Sequence, residues 1–146
     1  YLKMPEKTAE VIELIDGYRW YRTGDKGHLD EDGFLTIVDR YSRFAKIGGE
    51  MISLTTVEEE ILDACNDKDL EIAATCLPDQ RKGEKIVLLA TNNLDKNQLK
   101  KLLSDAKVNP LYHPAQVLSV EEIPKLGSGK TDFGATKKIA LVNEQK

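Results

Sequence analysis

Only two cysteines occur in the 146 residues, Cys65 and Cys76, and neither stands at a metal-ligand spacing. A disulfide-stapled or zinc-ribbon chain is therefore excluded, and two reduced, buried thiols in a cytoplasmic protein are the expectation. No run of about 18 apolar residues occurs, so no segment reads as a membrane-spanning helix. A cationic leader followed by an apolar stretch is missing from the first residues. No lysine- or arginine-rich block stands out, and the formal charge of −4 argues against a nucleic-acid partner. Internal repeats and low-complexity tracts are absent. The chain opens at Tyr1 within ordinary folded-looking sequence, which raises the expectation of a fragment.

What is present is a globular composition, 40% hydrophobic and 32% charged, enough to build a core without covalent staples. Pro5 can open a helix, and Glu6 to Ile15 carry mixed helical character. Arg19 to Arg22 reads as a short aromatic strand. Gly27–Asp30 and Phe34–Asp39 alternate apolar and polar residues around Glu31-Asp32-Gly33, a hairpin pattern. A second hairpin is expected from Phe44 to Leu54, with Gly48-Gly49 supplying positive φ at its tip. Thr55 or Thr56 then caps a helix with Val57, Ile61 and Leu62 on its apolar face. Glu58, Glu59 and Glu60 fall in its first turn, where the helix dipole favours acids in a solvated position.

Leu70–Leu77 and Lys85–Thr91 read as strands, and Asp95 caps a helix over Lys96–Ala106 with Leu99, Leu102 and Leu103 buried. Asn109 to Pro114 is a rigid turn, Gln116–Val120 a further strand, and Thr131 or Asp132 opens a last helix with Ala135, Ile139 and Val142 on one face. Strands alternating with helices from about residue 42 predict a two-layer α+β domain with a small mixed sheet and roughly three helices, preceded by hairpin strands. The polar stretch Asp39-Arg40-Tyr41-Ser42-Arg43 marks the boundary.

Several residues could carry chemistry. Asp25 ends Tyr21-Arg22-Thr23-Gly24-Asp25, where a carboxylate can accept hydrogen bonds from vicinal hydroxyls, as ribose-binding acids do. It is also an ordinary strand-ending acid. Arg40 suits phosphate or ribose oxygens, or a surface pair with Asp39. Lys46 beside Gly48-Gly49 marks a backbone able to pass close to a ligand, or a plain tight turn. Gly127-Ser128-Gly129-Lys130-Thr131 resembles the end of a P-loop, but that motif needs a glycine where Pro124 stands. Lys130 on a glycine loop remains an electrostatic finger for a phosphate, or a solvated lysine. His28 and His113 lack a catalytic constellation, and no metal site is expected.

Taken together, these blocks resemble the superfamily of acyl- and aryl-CoA synthetases, peptide-synthetase adenylation domains and beetle luciferases. Glu6-Lys7-Thr8 with Tyr21 to Asp25 is similar to its ribose-binding block, and Asp39 through Glu50 to its hinge and crossover block. Asn109 to Pro114 is similar to a later turn, and Pro124 to Lys130 to its catalytic-lysine block. Within the superfamily, Arg43 to Leu54 and Gly127 to Phe133 look like the synthetase part of bifunctional acyl-[acyl-carrier-protein] synthetase/2-acylglycerophosphoethanolamine acyltransferases, a family of fatty-acid and phospholipid metabolism.

The resemblance implies that residues 1–40 end a larger N-terminal adenylation domain and that 41–146 form a mobile C-terminal domain. It implies a fatty acid–[acyl-carrier-protein] ligase: ATP, with Mg2+ held outside these residues, gives an acyl-adenylate, and the phosphopantetheine thiol of acyl carrier protein then displaces AMP. Asp25 and Arg40 would bind the nucleotide and Lys130 would act in adenylation. Arg40 and Ser42 would form the hinge, while Lys46, Gly48, Gly49 and Glu50 would line the thiol channel. The same domain of a fatty acyl-CoA ligase is the nearest alternative, and a non-catalytic carrier-protein docking module the next. Two departures stand out: Ser42 replaces the family's Asp or Lys at the hinge, and Met51 its usual crossover-loop Arg. The chain alone is expected to be inactive. It is expected in the cytoplasm, with membrane contact, at the inner face of the cell membrane, only through upstream segments.

Overall fold

The computed structural model describes residues 1–144. The backbone divides into two compact units, Tyr1–Ser42 and Arg43–Lys146.

The first unit holds helix α1 (Pro5–Val11) and strands β1 (Ile12–Ile15), β2 (Tyr18–Tyr21), β3 (Asp25–Leu29) and β4 (Leu35–Arg40). The helix expected over 6–15 stops at Val11. Asp16 and Gly17 both take positive φ, 53° and 80°, and turn the chain into a β1–β2 hairpin with Ile12 opposite Tyr21. A two-residue Asp-Gly turn matches the twist of antiparallel strands, and β-branched Ile12 and Ile15 suit a ladder better than a helix end. Strands β3 and β4 pair from Asp25↔Arg40 to Leu29↔Leu35, with a bulge between Lys26 and Gly27. A Cβ on Gly27 would lie 2.7 Å from the Thr36 carbonyl oxygen, so only glycine fits this close approach. No residue of Tyr1–Ser42 is buried: Leu14, Tyr18, Trp20, Phe34, Leu35 and Ile37 are all exposed.

The second unit contains β5 (Phe44–Ile47), β6 (Glu50–Ser53), α2 (Leu54–Cys65), β7 (Ile72–Asp79), β8 (Gly83–Ala90), α3 (Lys96–Asp105), β9 (Gln116–Ser119) and α4 (Phe133–Glu144). Its five-stranded sheet centres on β8. Antiparallel β7 runs along one side, from Ile72↔Ala90 to Asp79↔Gly83, while β9 pairs in parallel over Val87–Ala90 and β5 joins at Ile47↔Gly83. The α+β class and the mixed sheet expected from the sequence are present.

Helices cover both faces of the sheet, adding a layer to the two expected. Ala74, Cys76, Ile86, Leu88 and Ala90 pack with Val57 and Ile61 of α2 and Leu99 and Leu103 of α3. Ala73, Leu77, Val87 and Leu89 point the other way, onto Ala140 of α4 and Ile123. Burial on both faces explains why β8 reads as an unbroken apolar run rather than an alternating one. Strand β7 has a single partner, so Pro78 can lie within it.

Local corrections follow from the caps. Ser53, not Thr55 or Thr56, caps α2, its Oγ accepting from the Thr56 amide at 3.3 Å. The helix therefore starts at Leu54, and Leu54, Val57 and Ile61 form its buried face while Leu62 is exposed. Asp95 caps α3 as expected, accepting from Asn97 and Gln98, whereas Leu102 is exposed. Asp132 accepts from the Ala135 amide at 2.9 Å at the start of α4. That helix buries Thr136 and Ala140 rather than Ala135 and Val142.

Candidate functional site

In the first unit the structure brings Asp25 and Arg40 together. They are cross-strand partners at the open end of the β3–β4 hairpin, and the Arg40 Nε lies 3.3 Å from Asp25 Oδ1. Gly24, at φ 78°, turns the chain into β3, and its carbonyl accepts from the Tyr41 amide at 2.9 Å. Thr23 Oγ1 accepts from the Asp25 amide at 3.1 Å. The carboxylate is thus half-buried and oriented by its own turn, beside a largely exposed guanidinium that can offer further donors to an anion.

In the second unit Lys46, Gly48, Gly49 and Glu50 lie on the β5–β6 hairpin. Gly48 and Gly49 take φ of 60° and 93°, the two-residue turn their sequence predicts. Lys46 is the outward member of a strand whose Phe44, Ala45 and Ile47 are buried. The hairpin is tied to its neighbour: Glu84 Oε2 accepts from the Lys46 amide at 2.6 Å, and the Lys82 carbonyl accepts from the Gly48 amide at 2.9 Å. Glu84 Oε1 also accepts from the Cys76 thiol at 3.3 Å. Burial, reinforced by that carboxylate, pushes the Cys76 thiol up to about 11, so it is an inert group rather than a nucleophile. Cys65 is half-buried and its thiol is also raised, chiefly by burial.

Lys130 stands exposed on a small hairpin between Ile123 and α4. The Lys130 carbonyl accepts from the Leu126 amide at 2.7 Å, the Leu126 carbonyl from Gly129 at 2.8 Å, and the Pro124 carbonyl from Asp132 at 2.8 Å. Lys125 and Thr131 form an antiparallel bridge at its base. The loop is therefore a backbone-pinned projection carrying an ammonium into solvent. Ser42, the last residue of the first unit, is exposed, as is Met51 on β6. His28 is exposed, and His113 Nε2 lies 3.3 Å from the Val108 carbonyl oxygen.

Sequence reasoning missed Arg43 and Glu58. Arg43 is buried, donating to the Ala74 carbonyl at 2.8 Å and to Glu58 Oε2 at 2.6 Å. Glu58 Oε1 accepts from the Ala74 amide at 2.6 Å. Glu58 is thus no solvated dipole partner: with α2 starting at Leu54 it lies beyond the first turn and faces the sheet edge. A signal existed. Residues 54, 57, 58 and 61 share one helical face, and a carboxylate on a face otherwise apolar demands a buried partner. Among the described residues, no group of three His, Cys, Asp or Glu side chains is placed to hold a metal ion. No described helix is long and apolar enough to cross a membrane.

No protein-family model matches the chain. Individual relatives do. A 2-succinylbenzoate–CoA ligase of Listeria monocytogenes is 36% identical over 126 residues, 85% of this chain and 26% of its own length. A 4-chlorobenzoate–CoA ligase of Arthrobacter is 31% identical over 127 residues, 86% of this chain and 23% of its own. Among solved structures, the amide bond synthetase McbA from Marinactinospora thermotolerans is 29% identical with a TM-score of 0.70, over 94% of this chain and 28% of that one. ATP-bound MatB from Rhodopseudomonas palustris has a TM-score of 0.74 at 24% identity, over 95% of this chain and 27% of that one, a likeness of fold. The chain spans about a quarter of the length of the curated relatives it matches. Over that stretch it is similar to these CoA ligases and to the amide bond synthetase.

Proposed function

We propose that this chain is the C-terminal part of an ATP-dependent acid–thiol ligase, and that residues 41–146 are its moving domain. The observation that carries the reading is the exposed ammonium of Lys130 on a backbone-pinned hairpin, in a chain similar to the adenylate-forming ligases. In this mechanism Asp25 accepts hydrogen bonds from the hydroxyls of the ATP ribose, while Arg40 holds that carboxylate and faces the nucleotide. A carboxylate oxygen of the acid attacks the α-phosphorus, the bond to the bridging oxygen breaks, and pyrophosphate leaves. Lys130 neutralises charge developing on the carboxylate and phosphate oxygens. The domain then turns about Arg40 and Ser42, withdrawing Lys130 and presenting Lys46, Gly48, Gly49 and Glu50 to the incoming thiol. Its sulfur, giving up its proton to solvent, attacks the acyl carbon; the bond from that carbon to the phosphate oxygen breaks and AMP leaves with the bonding electrons. Magnesium accompanying ATP is held outside these residues.

The exposed aromatic and aliphatic side chains of Tyr1–Ser42 support placing that unit at the margin of a larger N-terminal domain, since so much uncovered apolar surface needs a cover. For the acceptor, the run Arg43 to Leu54 favours the phosphopantetheine of acyl carrier protein and a fatty acid as substrate. A second reading, CoA as acceptor, draws on the relatives named as CoA ligases. Thioester formation by the full-length enzyme, assayed with carrier protein and with CoA, decides between them. Preference for carrier protein is expected, and a strong preference for CoA overturns the first reading. Residues 1–146 assayed alone should make no adenylate.

A further inference from the structure

Arg43 opens the second unit, directly after Ser42, and its guanidinium has several partners at once. Its side chain is only 5% exposed. Besides Glu58 and the Ala74 carbonyl it reaches Thr55 Oγ1 at 3.5 Å, and its guanidinium lies 3.7 Å above the centre of the Phe133 ring. Together Arg43 and Glu58 occupy both polar groups of Ala74 on the side of β7 that no strand pairs. This accounts for the ion pair as an edge cap, but not for the stack. A plane of guanidinium over a ring fixes the ring in position and tilt in a way that a point charge does not.

Phe133 is three residues beyond Lys130. It begins α4, where the Lys130 hairpin ends, and between them Asp132 both caps the helix and closes the hairpin on Pro124. A rotation of the Phe133 backbone would therefore carry the base of the hairpin with it. We propose that Arg43 is a positioning residue for adenylation: through its stack on Phe133 it sets the direction in which the Lys130 hairpin leaves the sheet. The inference rests on the role of Lys130 argued above. It makes the segment that joins the two units, and the lysine at the far end of the sequence, parts of one rigid assembly within the second unit.

The test uses the full-length enzyme and two half-reactions: ATP–pyrophosphate exchange, and thiol transfer from supplied acyl-adenylate. Phe133→Leu keeps an apolar residue at a site that is 40% exposed and removes the stack. Exchange should fall on the order of ten-fold or more in kcat, with the KM for ATP unchanged and thiol transfer intact, as misplacement of a reacting group predicts. Arg43→Lys, which keeps a charge for Glu58 but loses the planar face, should give the same split, and Phe133→Tyr should restore exchange. Exchange by Phe133→Leu within about two-fold of wild type, while Lys130→Ala abolishes it, overturns the inference alone. Equal loss of both half-reactions marks a structural role and overturns it too. Unchanged exchange in Lys130→Ala removes the reading of Lys130 and the inference with it.

Discussion

At the scale of single residues, the second unit depends on charges that are buried but fully paired. Taking a guanidinium and a carboxylate out of water is costly, and only a complete set of partners offsets that cost. Arg43 and Glu58 have such a set, with each Ala74 backbone group satisfied by one of them. Removing one partner leaves the other charge and the Ala74 amide uncompensated. Glu58→Ala should therefore destabilise the chain by about 3–5 kcal/mol, read as a lowered midpoint in urea unfolding. A solvated glutamate would cost well under about 1 kcal/mol.

Cys76 gives a pH prediction of definite sign. Its thiol is raised from 9.0 to about 11 in the folded chain, chiefly by burial and then by the Glu84 carboxylate. The folded state holds this proton longer than the unfolded state does. The stabilisation is complete below pH 9.0 and is lost as pH rises through about 11. Unfolding midpoints measured across that window should fall more steeply for the wild type than for Cys76→Ala. Parallel curves would show that the thiol does not sense its surroundings.

At the scale of elements, the β5–β6 hairpin is the piece whose form was legible in the sequence. Two adjacent glycines between apolar stretches dictate a two-residue turn, and both adopt positive φ. A side chain at Gly49, φ 93°, meets no neighbour, so its cost is conformational alone. Gly49→Ala should lower stability by about 1–2 kcal/mol. If the loop serves the thiol step, it should depress thioester formation from supplied acyl-adenylate more than ATP–pyrophosphate exchange. The reverse ordering would assign the loop to adenylation.

Other elements were harder to read for identifiable reasons. The stretch from Glu6 to Ile15 holds a helical start and a strand in sequence, and one window averages the two; Asp16-Gly17 was the local cue to divide them. The face of α4 was misplaced because Thr136 is as fully buried as Ala140. A threonine looks like a surface residue until its hydroxyl is seen donating to the Asp132 carbonyl at 2.9 Å. The turns that carry Lys130 and Asp25 were legible because their neighbours form compact local patterns. Arg43 and Glu58 were not, since their partners come from β7 and α4, far along the chain.

At the scale of the whole molecule, the two units differ in kind. The second has a core on both faces of its sheet, whereas the first buries no residue. Residues 43–146 expressed alone should unfold in one cooperative transition, and residues 1–42 alone should show no persistent structure by circular dichroism. Cooperative folding of 1–42 would contradict its assignment to the margin of a larger domain.

The role proposed for Lys130 places its ammonium in the phosphoryl step and not in thiol transfer. Parallel assays of Lys130→Ala in the full-length enzyme test it most directly. ATP–pyrophosphate exchange should collapse while thioester formation from supplied acyl-adenylate continues. Exchange at the wild-type rate would contradict it.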